Sequence, residues 1–349
     1  MSAMRYLPRM IQALATWVLV LATGACWAAP LVSLELGTEA GFPLGGERKW
    51  LMLLKDCQLS NIRFRSLRPG TKIEIRNRGT EASPSYVVTG ALTARNTLRL
   101  PGVEFRYGEK AAITKWVEKL KVDGMESLTA EIGPFGLTKK QLLQLHEAMT
   151  GKINFKTRGR KNAEVINQIG RGLKVSVAVD PAARQALGGG EILQDELQGL
   201  SAGTVMAIAL RPQGLVLVPQ KPSGQDVRLV IMGSDQVKES WPVGWPPQKN
   251  PGLLMPALFK SLSVEIDKVA LSEALEAIAP RLKVPFVIDY NALAQDRIDL
   301  DAVKVSVPSG RTYYKKILDQ VLSQARLYCE IRVDEVNTPF IWISNFKKP

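Results

Sequence analysis

The sequence predicts an α+β protein: two similar β-α-β…α-β-β modules in tandem, preceded by a separate small α+β domain. Three observations lead there. The octapeptide LKVSVAVD, Leu173 to Asp180, returns as LKVPFVID, Leu282 to Asp289, 109 positions further on. The match runs without a gap over 153–180 and 262–289, through an alternating segment, a segment with apolar residues at helical spacing, and a second alternating segment. A Pro- and Trp-rich stretch at 234–260 separates the copies. With 349 residues there is chain for two or three domains of ~100–150 residues each.

In chain order, residues 1–28 read as a signal peptide. Arg5 and Arg9 precede the apolar run Ile11 to Ala25, and Cys26 and Ala28 stand at the small positions before a cut. The run is short and is interrupted by Gln12 and Thr16, so it does not suit a membrane span. A second reading makes Cys26 a lipoprotein cysteine, although Thr23 stands where that motif wants a Leu-like residue. The expectation is an exported, periplasmic protein with no transmembrane segment in the mature chain. Two cysteines then remain, Cys57 and Cys329. Cys329 alternates with Leu327, Ile331 and Val333, which points to a buried free thiol.

Residues 29–150 read as the N-terminal α+β domain. NIRFRSLRPGTKIEIRNRG is expected to form a hairpin turning at Arg68-Pro69-Gly70, with Gly70 at the position that needs positive φ. YVVTGAL and NTLRLPGVEFRY add strands. Glu109 to Leu120 makes an amphipathic helix with Ile113, Trp116, Val117 and Leu120 inward. Thr138 and Gln141 form a capping box for a helix running to Met149.

The first module spans 151–233 and the second 261–349. INFKT and LSVEI alternate as half-buried strands. NAEVINQIG and LSEALEAIA are helical, and Ile169 and Ile278 are core positions in register. KVSVAV and KVPFVI are strands ending at Asp180 and Asp289, each placed to cap the turn that follows. Strands joined by such a helix favour parallel pairing. LSAGTVMAIAL and SGRTYYKKILDQVLSQA supply second helices. GLVLVP with VRLVIM, and LYCEIRV with PFIWIS around DEVNT, supply hairpins.

LSVEIDKVALSEALEAIAPRLKVPFVIDYNAL resembles the short domain at the N-termini of secretins and TonB-dependent transducers (STN-like). The resemblance rests on the alternating strand Leu262 to Ile266, then Val269, Leu271, Glu273, Ala274 and Leu275 of a V-x-L-x-E-A-L helix, then the strand closing on Asp289. It covers about 262–344, and more weakly 153–232. More loosely, the whole chain resembles exported proteins of planctomycete-type bacteria. The STN resemblance implies a compact module for protein–protein contact in the periplasm and implies no catalysis. Nothing after Pro349 supplies an outer-membrane barrel or a secretin pore, so only the module is expected to be shared.

Catalytic patterns are missing from the sequence. There is one histidine, His146, beside Leu142, Leu145 and Met149, where a structural role is expected. No His pair or Cys cluster suits zinc, and there is no G-x-S-x-G elbow, P-loop or H-E-x-x-H. No cofactor, metal or catalytic residue is expected.

Two groups are candidates for binding. The formal net charge is +13, which suits polyanionic or anionic surfaces. Arg63, Arg65, Lys72 and Arg76, extended by Arg78, would share the polar face of the hairpin 62–78 and engage anionic glycan or lipid headgroups. The plainer reading is a solvated strand face that protects an edge. Nucleic acid does not suit an exported chain with few stacking aromatics. In the 234–260 linker, Trp241 and Trp245 flank PVG. They read either as a polyproline-type ligand for a partner or as side chains that pack down and join the modules. The expected function is a non-catalytic scaffold of the bacterial cell envelope that binds a periplasmic or envelope protein. The alternatives are a cell-envelope polysaccharide hydrolase, which needs two carboxylates facing across a cleft, or an anionic glycan or lipid binder.

Overall fold

The computed structural model describes residues 30–59, 61–66, 70–80 and 83–346. The signal segment 1–28 with Cys26, and Arg68 and Pro69 of the expected turn, lie outside them. Among the described residues no helix is long and apolar enough to cross a membrane. The class is α+β, as the alternation of periods predicts. The chain divides into two compact units at Lys121/Val122. The boundary therefore falls well before the one expected near 150.

The first unit holds β1 (Leu31–Thr38), α1 (Gly46–Asp56), β2 (Asn61–Ser66), β3 (Ile75–Asn77), β4 (Ser85–Leu92), β5 (Thr97–Leu100), β6 (Val103–Arg106) and α2 (Lys110–Asp123). Its sheet runs β2-β1-β4-β5-β6, with β3 also on β4. β1 is parallel to both β2 and β4. Leu34 and Leu36 of β1, Trp50 and Leu54 of α1, and the expected Ile113, Trp116, Val117 and Leu120 of α2 are buried. This topology corrects the hairpin 62–78. β2 and β3 do not pair with each other; β2 pairs with β1 and β3 with β4. The sequence reading lacked β1, whose Leu34 and Leu36 offer the better apolar partner for Ile62 and Phe64.

The second unit opens with α3 (Glu126–Thr129) and α4 (Lys139–Ala148). The Thr138–Gln141 capping box forms as expected. The first module follows: α5 (Asn162–Gly172), β7 (Val177–Val179), α6 (Ala183–Leu187), α7 (Ala202–Leu210), β8 (Leu215–Gln220) and β9 (Arg228–Gly233). After α8 (Pro251–Leu254) in the linker, the second comprises β10 (Ser261–Ala270), α9 (Leu271–Leu282), β11 (Phe286–Ile288), α10 (Tyr290–Asp296), β12 (Lys304–Tyr313), α11 (Tyr314–Gln324), β13 (Leu327–Val333) and β14 (Pro339–Asn345).

The two modules share a sheet plan. One sheet is ordered β7-β9-β8 and the other β11-β14-β13. In each, the strand after the first helix lies parallel to the last strand, and the last two strands form an antiparallel hairpin. The offset of 109 carries β7 onto β11, and the start of α5 onto that of α9. Ile169 and Ile278 are both buried.

The copies differ at their openings. The strand expected at 153–157 is not formed. Isolated bridges Lys152↔Ser201 and Lys161↔Ile192 mark where 151–161 and 191–201 run antiparallel. Between them Thr157 and Glu196 take over the ladder's hydrogen bonds. The Thr157 hydroxyl accepts from Leu197 N–H, and the Glu196 carboxylate accepts from Thr157 N–H. In the second module the corresponding segments form the long ribbon β10–β12. β12 takes Ser309 to Tyr313, which the sequence assigns to the start of a helix; α11 begins only at Tyr314, and the register shift opposite Val264 and Ile266 gives Pro308 and Gly310 room in the strand.

Candidate functional site

The linker decides how the modules meet. Trp241 N–H donates to Leu217 C=O on β8, and Trp245 pairs with Val333 on β13. These are the edge strands of the two sheets, so the linker is hydrogen-bonded to both. Gly244 makes this path: its φ is 65°, and a Cβ there would lie 2.6 Å from the Phe340 ring. Trp241 is 4% exposed, and its indole N–H donates to Glu335 at 2.8 Å. The His146 ring lies tilted against Trp245 at 5.5 Å, and Trp241 and Trp245 meet edge to face at 5.5 Å. Both tryptophans and the histidine are thus engaged within the unit. Of the two expected readings, this agrees with the one in which both side chains pack down and join the modules, and it speaks against the polyproline-type ligand.

The loop after β13, Asp334 to Thr338, docks on α7. Asp334 accepts from the N–H and hydroxyl of Ser201, the N-cap of α7, at 2.9 and 2.8 Å. Glu335 accepts from the Thr204 hydroxyl at 2.9 Å. Carboxylates at a helix N-terminus are favoured by its unpaired N–H groups. Burial nonetheless raises the Glu335 pKa. On the other side of the interface Arg211 forms a forked pair with Asp289, at 3.2 and 2.6 Å. Asp289 also caps α10 through Ala292 N–H, and Asp180 accepts from Ala182 N–H, as the repeated Asp predicts. The apolar core is shared too, since Val287, Phe340 and Trp342 pack among first-module residues.

Beside this interface lies a cleft of about 1090 Å³, walled by both modules. Leu275, Phe286, Leu293, Ile298 and Leu300 supply apolar lining, and Glu191, Glu276, Asp299 and Asp301 supply carboxylates. Arg158 is the one cation among the lining residues. At the junction sits Asp195, 5% exposed. Its carboxylate accepts from Ile288 N–H at 3.0 Å and from the Tyr290 hydroxyl at 3.1 Å. Burial pushes the Asp195 pKa up to about 6 and the Tyr290 pKa up as well. Asp195 belongs to the irregular 191–201 segment and is held there by Thr157, whose hydroxyl donates to its carbonyl. The break in the repeat therefore places a carboxylate on the edge strand β11. Sequence reasoning missed this cleft. Nothing in the spacing of EILQDELQGL, Glu191 to Leu200, singles out Asp195 from Glu191 and Glu196.

The basic candidates lie in the first unit. Arg63, Arg65, Lys72, Arg76 and Arg78 are all exposed. Register places Arg63, Arg65 and Arg76 on one sheet face, with β1 and β4 between β2 and β3. Lys72 and Arg78 flank β3 rather than lying within it. Two of the five have ion-pair partners: Arg65 with Glu35 at 2.7 Å, and Arg76 with Glu74 at 3.3 Å. Cys57 and Cys329 are buried and free, as expected for Cys329. Burial pushes the Cys329 thiol up to about 12. Among the described residues no three His, Cys, Asp or Glu side chains gather to hold a metal ion.

Comparison with known proteins finds no matching family model, no matching curated protein and no matching solved structure.

Proposed function

We propose that this chain is an exported, non-catalytic interaction protein of the cell envelope, whose two STN-like modules act as one body and receive a partner protein in the cleft between them. The observation that carries the reading is the cleft itself, large, lined by apolar side chains and walled by both modules. Large concave sites at module junctions are the usual places for ligand binding.

A hydrolase would draw on Asp195, a carboxyl with its pKa near 6 in a cleft. Its geometry argues against that use. Both oxygens are taken, by a main-chain N–H and a tyrosine hydroxyl, and the side chain is buried. An anionic-surface role through the first unit is weakened by Glu35 and Glu74 on the same face as the arginines.

The test places a photo-crosslinking residue at Ala294, in the cleft wall, in cells that export the chain. A single defined protein adduct is the expected result. No adduct at this position, together with release of soluble fragments from purified envelope polysaccharide, would replace the reading with hydrolysis.

A further inference from the structure

The lining of the cleft defines the chemistry of what fills it. The chain is strongly basic overall, yet the cleft is walled by Glu191, Asp195, Glu276, Asp299 and Asp301 against the single cation Arg158. Glu191, Glu276, Asp299 and Asp301 are in no ion pair with a described residue. The Asp301 carboxylate accepts from the Ser272 hydroxyl, and Asp299 from Asp301 N–H. These are local bonds that leave the negative charge uncompensated. Acids such as Glu35, Glu74, Asp123 and Asp289 by contrast each face a Lys or Arg; what sets the cleft apart is that several unpaired acids line one concavity with a single cation. The carboxylates are also spread along the walls, since no three of them converge on one point. A metal ion needs such convergence; a chain of spaced cations does not. Between the carboxylates lies apolar surface from Leu275, Leu293, Ile298 and Leu300, which a compact hydrophilic cation would leave unfilled.

We infer that the cleft binds an extended basic segment of the partner, in which lysine or arginine alternates with aliphatic or aromatic residues. Alternation suits the site because the apolar side chains enter the lining while the cations reach the rim carboxylates. This rests on the reading of the cleft as the partner-binding site.

The experiment uses the full exported chain and fluorescence anisotropy of a labelled octapeptide alternating lysine or arginine with leucine. Two control peptides alternate glutamate with leucine, and lysine with glycine. Binding of the first peptide alone is expected, weakening at least tenfold in a Glu276→Lys, Asp299→Lys double variant and falling as salt rises from about 50 to 300 mM, since exposed charges are screened. Both substituted positions are exposed, and far-UV circular dichroism verifies folding. A second variant, Ala294→Trp, fills the cleft without changing charge and should also abolish binding. An Arg63→Glu, Arg65→Glu variant in the other unit should bind as the unaltered chain does. Equal binding by the charge-reversed chain, equal binding of the acidic peptide, or no binding of any peptide would overturn the inference. If the Ala294 adduct forms while the basic peptide fails, the partner-binding reading survives and its proposed chemistry does not.

Discussion

At the scale of single residues, equivalent positions in the two modules have acquired different duties. Ile169 and Ile278 remain interchangeable: both are buried on the helix between the repeated segments. Replacing either with alanine should cost about 2–5 kcal/mol, as large-to-small core changes do. Urea denaturation of both variants checks this, and unchanged midpoints would contradict the register. Asp180 and Asp289 both cap, but only Asp289 meets Arg211. Asp195 is the residue with a pH signature. Its pKa, raised to about 6, exceeds that of a carboxyl in the unfolded chain. The folded state therefore holds that proton more tightly, and stability from this group is present at low pH and lost as pH rises through about 6. Asn mimics the protonated form: its oxygen accepts from Ile288 N–H, and its amide donates to Tyr290. Asp195→Asn should be about 1–3 kcal/mol more stable than the unaltered chain at pH 7.5 and equal to it at about pH 3, below the pKa of the carboxyl in the unfolded chain. A variant weaker by the same margin at both values would refute this.

At the scale of elements, α7 shows tertiary contact overriding propensity. It is nine residues long and every one is buried, so it offers no polar face. At its N-terminus Ala202 N–H and Gly203 N–H donate to the carbonyls of Gly151 and Met149, while Asp334 accepts from Ser201 and Glu335 from the Thr204 hydroxyl, both from the loop between β13 and β14. Gly203 exists for that approach. A Cβ there would lie 2.0 Å from Glu335 Oε1 and 2.7 Å from Trp241 Nε1. Intrinsic propensity favours Ala over Gly in a helix by ~1 kcal/mol. Gly203→Ala should nonetheless destabilise by about 1–3 kcal/mol, because the carboxylate cannot stay on the helix end. Thermal melts give the sign, and a stabilised variant would mean that the loop docks loosely. Element existence was largely legible in sequence: α2, α4, α5, α7, α9 and both closing hairpins follow the expected periods. β1, α1 and β12 were missed. The end of β12 was read as the first turns of a helix from Ser309, which in the structure starts at Tyr314, and the Thr157–Glu196 exchange removes a strand that alternation alone would form.

At the scale of the whole molecule, the second unit is expected to open as one body. Its sheets are joined through the linker, its core residues mix, and three carboxylates of the second module, Asp289, Asp334 and Glu335, find their partners in the first. Separating the modules would leave those groups buried or newly solvated without partners, which is costly. Native-state hydrogen exchange should therefore give β9 and β14 one common opening free energy. Clearly separate values would mean independent modules. The basic hairpin fails at this scale, and the choice between a packed and a ligand-like Trp241 and Trp245 is settled only here: strand partners and linker contacts are long-range choices that local pattern does not contain. Ile62 and Phe64 look like one arm of a hairpin until β1 enters as a better neighbour.

The sequence by itself determined the class, the repeat and its register. Period and apolar spacing are local properties, and two copies of one pattern bury matching side chains in matching strands. Only the tertiary structure decided the cleft. Its walls come from segments about 100 residues apart, and its acidity depends on which carboxylates find cationic neighbours and which do not. That is a property of distances in space, which no spacing along the chain encodes.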